Sequence, residues 1–187
     1  MYRRTVVPFL VVVMLASTRL PASETGERFT FSVAGAPKTA LGDERLRVSI
    51  HEWSSDAERD KAAAAIAAND AQAVRHALLD AKAFGYLSWP GGSSYTIRYA
   101  RRSARPDGGV DLILVADSRI WVWWDAKNDL PANEPFTVLQ IRLDKSGNGE
   151  GKIAPASAIR RDASSGIAMA DYDTRPVLIR DVKPLRS

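Results

Sequence analysis

Aromatic, acidic and basic side chains gathered in short runs are where this chain could do chemistry. Residues 119–125 read Arg-Ile-Trp-Val-Trp-Trp-Asp and hold three of the five tryptophans. Strand alternation sorts them: Ile120, Val122 and Trp124 share one face and read as core, while Arg119, Trp121, Trp123 and Asp125 share the other. Two rings between an Arg and an Asp can stack on a sugar or pack on an apolar chain. They can equally fill the space beneath a covering layer. Arg119, Trp121, Trp123 and Asp125, with Arg98 and Arg102, form the candidate ligand or partner surface.

Other runs invite sharper chemistry and fall short of it. Asp144-Lys-Ser-Gly-Asn-Gly149 matches the first half of a calcium loop, but the position that must supply two carboxylate oxygens is Pro155. A hairpin turn is expected there instead. Gly91-Gly-Ser-Ser94 lacks the following helix that a phosphate cradle needs. Only two histidines occur, His51 and His76, and no cysteine, which removes thiol chemistry, disulfides and cysteine zinc sites. His76 and Asp80 sit at helical i,i+4 spacing, a routine surface pair. A glycoside hydrolase would need two carboxylates roughly 5–10 Å apart across a cleft; Asp125, Asp129, Asp171 and Asp173 are the candidates near loops or aromatics. No residue is assigned to catalysis, a cofactor or a metal. Arg98, Arg101, Arg102 and Arg105 gather on one hairpin, partly offset by Asp107 and Asp111. Such a cluster suits an anionic envelope surface or polymer, or else a solvated strand end.

The elements that must position these groups are mostly strands. Arg28–Val33 alternates, as does Glu44–Trp53, with Leu46, Val48 and Ile50 on one side and Arg45, Arg47, Ser49, His51 and Trp53 on the other. Ser55-Asp-Ala-Glu58 then fits a capping box opening an alanine-rich helix, and Asn69-Asp70 offers a second helix start. The spacing predicts a helical hairpin over about 55–83, with a loop from Phe84 to Ser94. Strands follow at 95–102, 110–116, 119–125, 136–144, 151–161, 167–172 and 177–182. Together they predict an α+β domain: an antiparallel β-sandwich or open β-barrel of about eight strands, with the helical hairpin inserted.

The chain's beginning reads as an address. Met1-Tyr-Arg-Arg precedes a dozen or so apolar residues and then Ser17-Thr-Arg-Leu-Pro-Ala22-Ser23, predicting a signal peptide cleaved after Ala22 or Ser23. The apolar run is short of the roughly 20 residues that span a bilayer. The expected product is therefore one exported domain, 23–187, without a lipid anchor or a transmembrane span. The full chain carries 26 Lys+Arg and 22 Asp+Glu. Residues 1–22 hold three arginines and no acid, which leaves 23 basic against 22 acidic side chains and no composition-based case for a nucleic-acid partner.

Glu52-Trp-Ser-Ser-Asp-Ala-Glu-Arg-Asp60, Arg142-Leu-Asp-Lys-Ser-Gly-Asn-Gly-Glu-Gly-Lys152 and the hairpin motif Tyr95-x-x-Arg-Tyr-Ala-Arg-Arg102 resemble a set of small exported bacterial proteins. The resemblance implies a shared fold and carries over no catalytic residue. Three functions stay open: a periplasmic or secreted binding module for an envelope ligand or protein, a carbohydrate-directed hydrolase using a carboxylate pair, and a structural or assembly protein.

Overall fold

The computed structural model describes residues 26–34, 45–88, 94–118, 136–155, 159–170, 172–174 and 178–185. The described strands are β1 (Glu27–Val33), β2 (Leu46–Ile50), β3 (Gly85–Ser88), β4 (Ser94–Ala104), β5 (Val110–Ala116), β6 (Thr137–Leu143), β7 (Gly149–Pro155), β8 (Ile159–Asp162), β9 (Gly166–Met169) and β10 (Ile179–Pro184). Helices α1 (Asp56–Ala67) and α2 (Ala71–Leu79) lie between β2 and β3. Eight strands form a closed antiparallel barrel in the order β1-β10-β7-β6-β5-β4-β3-β2, and β8 pairs with β9 as a separate ribbon.

Of the two expected architectures the barrel is the one found, and it is closed rather than open. Pairing of β1 with β10 joins the first described strand to the last, a contact no local pattern announces. Two local expectations are corrected. The stretch read as a loop from Phe84 contains β3, whose short Gly-Tyr-Leu-Ser alternation is hard to see before Trp-Pro-Gly-Gly; Leu87 points inward and is fully buried. The expected strand 151–161 is two strands, because the chain leaves the barrel after β7 to build the ribbon.

Both helix starts form as read. The Ser55 hydroxyl accepts from Glu58 N at 3.3 Å, while the Glu58 carboxylate accepts from Ser55 N at 2.7 Å. At α2, Asp70 accepts from the amides of Gln72 and Ala73. Both caps satisfy backbone donors that the first helical turn leaves unpaired.

Two cores result. Phe29, Phe31, Val48, Leu87, Leu112, Leu114 and Ile141 are among the side chains filling the barrel. Trp53, expected on the polar side of β2, lies beyond the strand end and packs against this interior. The second core lies outside the barrel wall. Tyr99, Val115, Val138 and Ala154 are successive cross-strand neighbours on β4 to β7, and all four are buried. Ala62 of α1, Leu78 of α2 and Ile167 of β9 pack over the first three. Met169 and Tyr172 cover Ala154. Small alanines on α1 let it approach the ribbon closely.

A bulge lets β4 serve both cores. Ile97 pairs with Ala116 and Tyr99 with Val115, so two residues of β4 advance against one of β5. Ile97 and Ala100 thereby face the barrel interior while Tyr99 faces outward. The Tyr99 hydroxyl donates to the Ser165 carbonyl at 2.5 Å, pinning the β8–β9 turn to the wall. Gly166 follows with φ +76°, and a Cβ there would stand 2.8 Å from both the Tyr99 hydroxyl and the Arg59 carbonyl oxygen. Tyr99→Phe should lower unfolding free energy by about 1–2 kcal/mol, the cost of leaving a buried carbonyl unpaired. Urea unfolding checks this, with the denaturant slope unchanged; a shift within error would show that the hydrogen bond does not hold the turn.

Candidate functional site

Four of the six candidate surface residues, Arg119, Trp121, Trp123 and Asp125, lie outside the described residues. The other two are engaged in holding the fold. Arg98, at the β4 bulge, donates to the Ala81 carbonyl at 3.0 Å and pairs with Asp117 at 3.4 Å. Arg102 meets Glu27 of β1 at 2.6 Å. Their hairpin neighbours behave alike. Arg101 donates to the Ser54 carbonyl at 2.8 Å and to Asp56 at 2.7 Å, tying the start of α1 to the wall. Arg105 pairs with Asp107 in its own turn at 2.6 Å. Arg98 and Arg101 thus fasten the helical insertion to β4, while Arg102 and Arg105 tie β4 to β1 and to its own turn.

The other runs with apparent chemistry are turns. Asp144 accepts from Ser146 N at 2.8 Å and Asn148 N at 3.1 Å, closing the β6–β7 hairpin with Gly147 at φ +82°. Hydrogen bonds from Ser146 lead in holding its carboxyl below the usual range. Among the described residues no group of three His, Asp or Glu is placed to hold a metal. His76 meets Asp80 at 2.5 Å on the exposed side of α2, as its spacing suggested. Of the four carboxylates considered for hydrolysis, Asp173 pairs with Arg142 at 2.9 Å; Asp125, Asp129 and Asp171 lie outside the described residues.

A polar cluster sits at the margin of the covered half. The Arg142 guanidinium lies 3.8 Å from the Tyr172 ring centroid and the Lys152 ammonium 4.5 Å from it. Lys152 is only 4% exposed, so the ring face supplies part of the electrostatic compensation that water would give elsewhere. Burial pushes the Tyr172 hydroxyl up to about 12 and keeps it neutral. Asp111 stands 3.8 Å from Arg105 and 4.0 Å from Arg142; burial raises its carboxyl against the pull of both. These groups clamp the chain returning from the ribbon onto β6 and β7.

The remaining half of the barrel, β10, β1, β2 and β3, has no covering layer among the described residues. Its outward side chains come in rows fixed by strand register. Lys183, Thr30, Arg47 and Ser88 form one row; Arg28, Ser49, Tyr86 and Thr96 form the next. Arg180 sits opposite Ser32. Arg47 and Lys183 flank Thr30, two strand spacings or roughly 10 Å apart. Arg28, Arg47, Arg180 and Lys183 are exposed, and Tyr86 is 41% exposed with His51 edge-on to its ring at 5.5 Å. Arg45 reaches over the same face, donating to Thr30 Oγ1 at 3.2 Å and to the Asp181 carbonyl. Among the described residues on this face, Asp181 is the single acid against five bases. Sequence reading placed Arg45 and Arg47 on the polar side of β2 but could not bring Arg28, Arg180 and Lys183 beside them.

This bare face is the candidate site, and its outward polarity is the reverse of a membrane-spanning barrel, whose apolar band faces lipid. No helix among the described residues is long and apolar enough to cross a membrane. Comparison with protein-family models, with curated proteins and with solved structures finds no match.

One carboxylate on the covered half has a measurable signature. Burial would raise the Asp162 pKa, but hydrogen bonds from the amides and hydroxyls of Ser165 and Ser164 outweigh it and hold the group at about 2. A depressed carboxyl stabilises the fold above its unfolded value near 4 and loses that contribution as pH falls through 2. Asp162→Asn should therefore cost up to about 2 kcal/mol at pH 6 and progressively less toward pH 2. Urea unfolding at both pH values checks it; a gap independent of pH would refute the assignment.

Proposed function

We propose that this chain is an exported, non-catalytic binding module whose contact surface is the bare half of the barrel. The observation that carries the reading is the asymmetry of the wall. One half is buried beneath helices and a ribbon, while among the described residues the other presents five cations and one acid on rows set largely by strand register. A surface so biased gathers anionic partners from solution and orients them. The nearly balanced charge expected for the exported domain makes the bias local to this face. Hydroxyls of Thr30, Ser49 and Ser88 stand beside the cations, and a hydroxyl can both donate and accept hydrogen bonds. Export by a cleaved leader, as the first residues suggest, would bring this face to envelope material.

The test is co-sedimentation of the purified chain with the envelope fraction of the source cells. Wild type should sediment at low salt and be released as salt rises, since exposed charges are screened beyond about 8 Å at physiological ionic strength. Arg47→Glu with Lys183→Glu should abolish sedimentation while far-ultraviolet circular dichroism and urea midpoint hold, because both side chains point into solvent. Sedimentation that is absent in wild type, or equal in the variant, would end this reading.

A further inference from the structure

We infer that the partner of the bare face is an acidic polysaccharide, a linear polymer carrying carboxylates on a hydroxyl-rich backbone. The inference rests on the binding-module reading above and adds the chemical class.

Three features of the face select among polyanions. The cations are spread over successive rows rather than concentrated. Arg28 lies one row from Arg47 and Lys183, and Arg180 occupies the row of Ser32 on the other side. Rows on one face are two residues, roughly 7 Å, apart along the strands. Such spacing matches a polymer with regularly repeated charge crossing the strands or running along them. Next, hydroxyls adjoin the cations: Thr30 lies between Arg47 and Lys183, Ser32 opposite Arg180, Ser49 beside Arg28 and Ser88 beside Arg47, and hydroxyls answer sugar hydroxyls in either hydrogen-bonding sense. Finally, the aromatic supply among the described residues of the face is one exposed tyrosine, Tyr86, braced edge-on by His51. One ring can lie against one sugar face. Single-stranded nucleic acid is gripped by several rings that stack successive bases, and those are missing from the described face. A lipid surface would call for apolar side chains to insert beside the cations; the exposed large hydrophobics among the described residues are Tyr86 and Leu185.

The probe is polygalacturonate, titrated against the purified chain by affinity electrophoresis. Neutral dextran and a single-stranded oligothymidylate are run alongside, and phosphatidylglycerol vesicles are tested by flotation. Polygalacturonate should retard wild type and dextran should not. Arg28→Glu with Arg47→Glu should raise the half-saturating concentration about tenfold or more. A milder pair, Arg47→Gln with Lys183→Gln, should give an intermediate loss that cannot be ascribed to unfolding. Reversing two helix charges instead, Lys61→Glu with Arg75→Glu, should leave binding within about twofold. Tighter binding of oligothymidylate or vesicles than of polygalacturonate overturns the polymer class. Equal loss in face and helix variants overturns the surface. Absence of polygalacturonate binding, with envelope sedimentation still lost on charge reversal, removes the polysaccharide and leaves the binding module standing.

Discussion

Strands β5 and β6 are buried on both faces, and the remaining architecture follows from covering the second one. Leu112 to Ala116 of β5 is an unbroken buried run, and β6 is buried at all but one position. A strand exposed to water on one side cannot carry such a sequence without losing about 25 cal/mol for each Å² of apolar surface left wet. The barrel interior takes Leu112, Leu114, Leu139 and Ile141; the outer core takes Ile113, Val115 and Val138. Two helices and a ribbon are therefore obligatory coverings. The β4 bulge matters because it allows one strand to turn Ile97 into the first core and Tyr99 into the second.

The covering layer also dictates where polar groups are used. Arg101, Ser54 and Asp56 join the helical insertion to β4, and Arg98 reaches the chain that leaves α2. At the far margin Arg142, Lys152 and Tyr172 hold the returning chain. Arginines that look available on paper are thus partnered within the fold. Among the described residues the other half of the wall has no cover to hold, and Arg28, Arg47, Arg180 and Lys183 stay exposed on it. Charge on the covered half serves cohesion; on the other half it supplies the contact proposed above.

Local structure was largely legible in the sequence, and long-range assembly was not. The capping box at Ser55, the cap at Asp70, the hairpin turns at Asp107 and Asp144, and the alternation of β2 all rest on neighbours within a few residues. Those patterns are written in the order of the chain. Closure was hidden, since β1 and β10 are joined by register across nearly the whole sequence. Strand β3 was hidden because four residues carry too little periodicity to stand out beside a Pro-Gly-Gly stretch. The bare face was half legible: alternation marks Arg45 and Arg47 as outward, and β10 hides its contribution. Its bulge at Asp181, with φ 52°, sets Ile179 and Val182 on the same side despite odd spacing, so simple alternation misplaces the residues between them.

The seam between β1 and β10 has a consequence in time. Phe29 pairs with Pro184, so the barrel cannot close until β10 has been made. Contacts of such sequence separation make folding slow, because the chain loses the entropy of a long loop before the pairing rewards it. Until β10 arrives, β1 lacks one of its two neighbours and the interior stays open to water. A polypeptide built this way remains threadable until β10 emerges and commits to the closed barrel only then.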